Sequence, residues 1–348
     1  MKKRNPLFLF LFIGIFLINA CSSDDDFTEN DDNSENPEIE NTYENGFFVL
    51  NEGQFPNEGT VTFVSEDFEQ VEQKIFQNVN DGMELGNTPQ SMFFHENKVF
   101  IITNASNFIR VADRYTFEDL GVISGDLENP RYGATANGKA YITNGYAEHI
   151  TVVNLQSLSV EKTIPMENIG EFIYLGKNGM LYIQQAAFGS GNQIAVLDPN
   201  TDEVIETLET AENLNSIALD EEYLYALSAE KLEKFSLANF TQEEEIPLTY
   251  ETSAANLTLD EDYLYFTSGK KAYRLNTADF SAPETALFEV ESDSYGTYYG
   301  FEVQDSTIYI ADGGDFVSDS YIEIRNVEGE ILKTITVGVG PNGFYFNE

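Results

Sequence analysis

The sequence predicts an all-β fold: a seven-bladed β-propeller sealed by pairing of its two ends. Three observations lead there. A short apolar segment with an aromatic at its second position recurs seven times. Alternating segments punctuated by Gly, Asn and Asp fill the intervals between recurrences. The strand that the first repeat lacks reappears at the C-terminus.

The recurring segments begin Phe47-Phe48, Val99-Phe100, Ala140-Tyr141, Leu181-Tyr182, Leu224-Tyr225, Leu264-Tyr265 and Ile308-Tyr309. The steps between their aromatics are 52, 41, 41, 43, 40 and 44 residues. A period of this size built from short strands gives one propeller blade per repeat. The repeated aromatic is expected to fill the layer between neighbouring blades, where a large flat ring buries much apolar area.

Each repeat follows one plan. An inner strand such as Pro89-Gln90-Ser91-Met92-Phe93-Phe94 leads through a turn, His95-Glu96-Asn97-Lys98, into the aromatic second strand. A loop then precedes an alternating third strand such as Ile150-Thr151-Val152-Val153-Asn154, and a fourth such as Glu161-Lys162-Thr163-Ile164 closes the repeat. Period-two alternation with turn residues between is the mark of short antiparallel strands. No stretch carries sustained helical periodicity.

The first repeat starts at Gly46 with what is elsewhere the second strand. Gly340-Pro341-Asn342-Gly343-Phe344-Tyr345-Phe346 matches Thr88-Pro89-Gln90-Ser91-Met92-Phe93-Phe94 in position and type. One blade is therefore expected to draw on both ends of the chain, which removes open sheet edges.

The N-terminal region reads differently. Met1-Lys2-Lys3-Arg4 and an apolar run from Leu7 to Ile18 describe a secretory signal over residues 1–20. The run is too short to span a bilayer, which takes roughly 20 residues. Cys21 is the only cysteine and follows Ala20, so no disulfide can form within the chain. Residues 22–45 hold ten acidic residues and no basic one. Such a stretch cannot bury a core, and residues 21–45 read as a disordered tether before a propeller over 46–348.

Net charge is −42, and about −45 once the signal is removed. So acidic a surface repels phosphate backbones, which disfavours nucleic acid, and anionic polysaccharides and headgroups on the same ground.

Catalytic patterns are scarce. Of the two histidines, His95 falls in a turn away from the expected binding face, and His149 lacks a nearby Cys or a Gly-x-Ser-x-Gly elbow. No His/Cys cluster has metal-ligand spacing, and no phosphate-cradling loop opens a helix. Asp312-Gly313-Gly314-Asp315 lacks the ligand count of a calcium loop and reads as a turn. A carboxylate pair stays open, because the fold sets the distances. The expectation is a non-enzymatic protein with no cofactor or metal.

In a propeller, the loops joining second to third strands share a face with the connections between blades. That face surrounds the central channel and is the default binding site. Here it carries Phe55, Phe108, Asn144, Tyr146, Gln185, Phe188 and Phe316 from loops. The inter-blade connections add Arg131, Tyr132, Tyr250, Tyr295 and Tyr298. Aromatic, amide and hydroxyl groups on one face suit a large, mostly uncharged ligand, although each is also an ordinary turn residue. Arg131 suits a ligand phosphate or a neighbouring acid.

Cys21 after Ala20 resembles the lipobox of bacterial lipoproteins, whose cysteine is lipidated. Ser22-Ser23-Asp24-Asp25-Asp26 resembles the signal that exports some lipoproteins to the outer leaflet of the outer membrane. Ile150–Leu155 and Ile194–Thr201 resemble the surface-layer and amine-dehydrogenase-like seven-bladed propellers. With Phe48-Val49-Leu50-Asn51-Glu52-Gly53 behind the cysteine and tether, the whole chain looks like the cell-surface propeller lipoproteins that partner TonB-dependent transporters. The resemblance implies a lipid-anchored outer-membrane protein, exposed at the cell surface, that captures cobalamin or another corrinoid and passes it on. A carbohydrate- or haem-capturing propeller and a propeller lyase or hydrolase are the alternatives.

Overall fold

The computed structural model describes residues 42–186 and 190–347. The signal, Cys21, most of the tether and Phe188 lie outside the described residues. Seven four-stranded antiparallel sheets stand around a central channel. Blade 1 combines residues 46–73 with the strand Pro341–Asn347, and the others run over 89–124, 130–165, 173–209, 214–247, 254–289 and 300–337. Each inner strand packs on that of the next blade, except that blade 4 meets blade 5 through its second strand, and the C-terminal strand lies against both blade 2 and blade 7, so the ring is closed.

Closure is as the end sequences predict. Gly46–Asn51 pairs with Pro341–Asn347 in antiparallel register, from Gly46 opposite Asn347 to Leu50 opposite Gly343. Phe344 and Phe346 pack with Phe47 and Tyr309 across the boundary to blade 7. The Asn347 amide donates to the Tyr43 and Arg114 carbonyls.

Tyr43 falls within the stretch read as tether, yet it belongs to the core. Its ring is 2 % exposed and meets Phe63 and Phe117. Its hydroxyl donates to Glu72 at 3.2 Å, and its amide to the Tyr115 carbonyl at 3.0 Å. A single aromatic in an acidic run gives no periodic signal, so only the packing reveals it. Tyr115 sits in a turn on the face away from the inter-blade connections, so the chain enters the propeller from that far face.

The repeated aromatics occupy one rung. Phe48, Phe100, Tyr141, Tyr182, Tyr225, Tyr265 and Tyr309 are all buried between blades. Burying each ring contributes roughly 2 kcal/mol. The tyrosine hydroxyls reach polar partners at the far ends of the strands. Tyr141 donates to Asp202 of blade 4 at 2.5 Å, and Lys139 and Lys162 reach the same carboxylate at 2.7 and 2.9 Å. Burial pushes the Asp202 carboxyl up, but the bonds from Lys139, Tyr141 and Lys162 outweigh it and hold it down at about 2. A depressed carboxyl stabilises the fold above its unfolded pKa. That contribution, about 2 kcal/mol, is lost as pH falls from 3.8 towards 2. Asp202→Asn should flatten the acid limb of a stability–pH curve across that window, as read by urea melts. An unchanged limb would contradict the assignment.

The long first step has a structural reason. A five-residue helix, Ile75–Val79, with Ile75 and Phe76 buried, and a linker to Pro89 separate blades 1 and 2. One turn of helix is too short to leave a periodic trace in sequence.

Candidate channel-mouth site

Five of the seven inner strands break register with the second strand near their start. The residues left out of register are Asn342, Gln90, Arg131 with Tyr132, Asn215, and Asn256 with Leu257. A bulge re-aims side chains and frees backbone groups from the ladder. Five inner strands are also preceded by a left-handed residue: Thr88, Asn129, Asn213, Tyr298 and Gly340. Such residues turn the chain sharply into the strand, at a cost for all but the glycine.

The freed backbone groups are satisfied from the next blade. Ser91 donates to the Arg131 carbonyl at 2.6 Å, and Gln184 to the Leu214 and Asn215 carbonyls at 3.2 and 3.0 Å. Asn256 donates to the Tyr298 carbonyl, and Asn342 to the carbonyls of Pro89 and Gln90. The same bulges thus stitch blades together and gather polar side chains at the channel mouth. Loops from the second strands share this face: Glu52 donates its amide to Gly340, Gly145 to Asn129, and Gly313 to Gly296.

One buried ion pair dominates the mouth. Arg131 meets Glu171 through Nε at 3.0 and 3.2 Å and through a terminal nitrogen at 2.6 Å. Their side chains are 15 % and 8 % exposed. Arg131 also bonds Gln90, whose amide nitrogen reaches the Tyr132 hydroxyl at 3.4 Å. Burial alone would lower the Arg131 pKa, but Glu171 raises it, so the guanidinium stays charged. Glu52 faces the pair. It accepts from Tyr299 at 2.8 Å and from Asn342 at 2.9 Å. Burial raises its carboxyl above the usual range despite these donors and Arg131.

Below the mouth, the channel encloses about 610 Å³ and draws lining residues from all seven inner strands. One wall is an aromatic column. Tyr132 contacts Phe172 at 4.3 Å between ring centres, and Phe172 stacks on Tyr174 at 6.2 Å.

The residues expected at the site are dispersed. Arg131 and Tyr132 stand in the mouth, and Phe316 packs edge-on against Tyr299 at 4.8 Å beside it. Tyr146, Phe55 and Tyr295 are 70 %, 73 % and 95 % exposed on the outer rim. Tyr298 is buried between blades, its hydroxyl on the Lys270 carbonyl. Tyr250 stacks on Tyr273 and donates to the Pro283 carbonyl, and burial pushes its hydroxyl up to about 12. Asn144 is fully buried; its amide nitrogen donates to the His149 carbonyl and the Thr151 hydroxyl, and its oxygen accepts from the Glu128 amide of the inter-blade connection. Phe108 packs beneath Arg110, away from the channel. Gln185 lines a separate groove between blades 3 and 4. Asp312 of the Asp-Gly-Gly-Asp turn accepts from Ser292, Ser294 and Tyr321, and no acid or histidine group among the described residues is arranged to hold a metal.

The sequence reading did not single out Gln90, Glu171, Glu52, Tyr299 or Asn342, although Glu52 and Tyr299 lie in segments expected on this face. A signal for two of them was present. Thr88-Pro89-Gln90, Asn129-Pro130-Arg131 and Gly340-Pro341-Asn342 repeat a proline followed by a long polar residue at the start of an inner strand.

Known proteins with this architecture are diverse. The fold resembles a quinonprotein alcohol dehydrogenase-like protein from Bacteroides thetaiotaomicron at TM-score 0.66 and 15 % identity, covering 88 % of this chain and 79 % of that one. Virginiamycin B lyase from Staphylococcus aureus aligns at 0.59 and 13 % identity over 74 % and 92 %. Kuenenia stuttgartiensis hydrazine synthase aligns at 0.56 and 15 % identity over 73 % and 88 %. Identities this low establish the shared fold alone. No curated protein sequence matches. Residues 45–347, from one flank of the closing blade round to the other, match a single family model, and the chain belongs to that family, the domain of unknown function DUF5074.

Proposed function

We propose that this is a non-enzymatic, lipid-anchored protein of the outer-membrane surface that captures a nutrient at the channel mouth. A corrinoid is the proposed ligand and a TonB-dependent transporter the proposed recipient. The polar lining carries the capture reading: Asn215, Asn256 and Asn342, left out of register by the bulges, line the cavity together with Tyr132 and Tyr299. Amides both donate and accept, so such a lining matches a ligand edged with its own amides. The carboxylates of the mouth are tied down by Arg131, Tyr299 and Asn342, which favours a positioning role over acid–base work. A cavity of about 610 Å³ takes one edge or one side arm of a macrocycle, with the rest lying across the rim aromatics.

Calorimetric titration with cyanocobalamin tests this. One-to-one binding in the micromolar range or tighter is expected, weakened about tenfold by Tyr299→Ala, the scale of one aromatic anchor. No heat at micromolar ligand would remove the corrinoid. Binding of haem or an oligosaccharide in its place would keep the capture reading with another ligand. Corrinoid binding untouched by Tyr299→Ala would move the site away from the mouth.

A further inference from the structure

The lower half of the channel holds a carboxylate that the capture reading does not use. Glu302 lies three residues along the inner strand of blade 7 from Tyr299, about 10 Å deeper at the usual strand rise. The register fixes its level. It stands opposite Tyr309, as Tyr174 stands opposite Tyr182 and Tyr345 opposite Phe48. Glu302, Tyr174, Tyr345 and Thr258 therefore occupy one rung around the channel, and all but Thr258 line the cavity.

Glu302 Oε1 accepts from the Thr258 hydroxyl and from the Val303 amide at 3.2 Å. No protein donor reaches Oε2 among the described residues, and no Lys or Arg forms an ion pair with Glu302. Asp260, of the same sign, also bears on it. Burial raises its carboxyl above the usual range. Tyr174 is still 39 % exposed, so the rung is open to the channel. The column of Tyr132, Phe172 and Tyr174 leads down to it from the mouth.

A carboxylate without a cation, sharing a rung and a cavity with two tyrosines and reached by a channel, has the chemistry of an ammonium site. The carboxylate supplies charge, and the aromatic faces attract a cation while covering its carbon body. We propose that the lower channel is a subsite for a small organic cation, its ammonium group on Glu302 and its apolar part against Tyr174 and Tyr345. The subsite shares only the open channel with the capture reading. Loss of corrinoid binding at the mouth would leave it standing, and its own failure would leave the mouth intact.

Benzylamine and benzyl alcohol are near-isosteric probes that differ in charge at neutral pH. Titrated into the whole protein by calorimetry in 0.3 M sodium chloride, which screens the acidic surface, benzylamine should bind about tenfold more tightly. Glu302→Gln keeps the shape of the site and should erase that preference, leaving benzyl alcohol affinity and the melting temperature unchanged. Tyr174→Ala should weaken both probes. The proposal is overturned if benzylamine fails to bind at millimolar concentration, or if its advantage survives Glu302→Gln. Should Glu302→Gln lower the melting temperature, Glu302→Asp provides the second reading: the shorter carboxylate should retain charge preference at reduced affinity, and loss of all preference there would also overturn the subsite.

Discussion

Deleting residues 340–348 should lower the melting temperature by more than about 10 °C. The segment is the inner strand of blade 1. Its loss strips the register partners from Gly46–Asn51 and opens that edge to the channel. It also removes Phe344 and Phe346 from contact with Phe47 and Tyr309, and each lost aromatic costs about 3–5 kcal/mol. Tyr43 and Arg114 lose the Asn347 amide in the same step. At roughly 2 °C per kcal/mol for a domain somewhat smaller than this one, the aromatic term alone reaches the stated shift. The exposed strand edges should also promote association, visible as a larger species by light scattering. A truncated protein that melts with the full chain would refute closure by the C-terminal strand.

Arg131→Ala should destabilise the protein by about 3–5 kcal/mol, because it leaves Glu171 buried without its partner. Glu171 is 8 % exposed at its side chain and takes three bonds from the guanidinium. Glu171→Ala should cost a similar amount by stranding Arg131. Replacing both with methionine should recover most of the loss, since an apolar pair of similar volume avoids the desolvation penalty. Thermal melts of Arg131→Met, Glu171→Met and the double methionine variant form the cycle, and a strong coupling is expected. If the single losses simply add, the pair is not the buried unit that its geometry describes. The double variant should nonetheless bind ligand poorly, because Gln90 and Tyr132 lose the guanidinium that positions them. Stability and binding separate there, which distinguishes a structural clamp from a recognition element.

The two results bear on one design. The bulges that would weaken an isolated hairpin are satisfied from the neighbouring blade, through Ser91, Gln184, Asn256 and Asn342. Polar groups concentrate where the ladder is broken, at the mouth. A mutation there acts on blade packing and on the binding surface together. Asp202 works the same way on the far face, where one carboxylate joins Tyr141, Lys139 and Lys162 across blades.

The architecture was legible in the chain because strand alternation and a 40-residue period are local properties. Phe48 through Tyr309 announce the blades, and Gly340–Phe346 announces closure by likeness to Thr88–Phe94. The candidate site was legible only in part. Arg131 and Tyr132 stand in the mouth, but Tyr298, Tyr250 and Asn144, of the same residue types in similar loops, turn into packing and loop closure. Loop composition places a residue on a face without giving the direction of its side chain. Glu171, Glu52 and Glu302 were invisible among sixty acids, since a carboxylate becomes distinctive through burial and partners. Tyr43 was hidden in an acidic run for the same reason. Sequence by itself determined the repeat, the strand order and the sealing of the ring, all of which follow from spacing along the chain. Tertiary structure alone decided which side chains converge on the channel, because that depends on bulges, on burial and on contacts between residues tens to hundreds of positions apart.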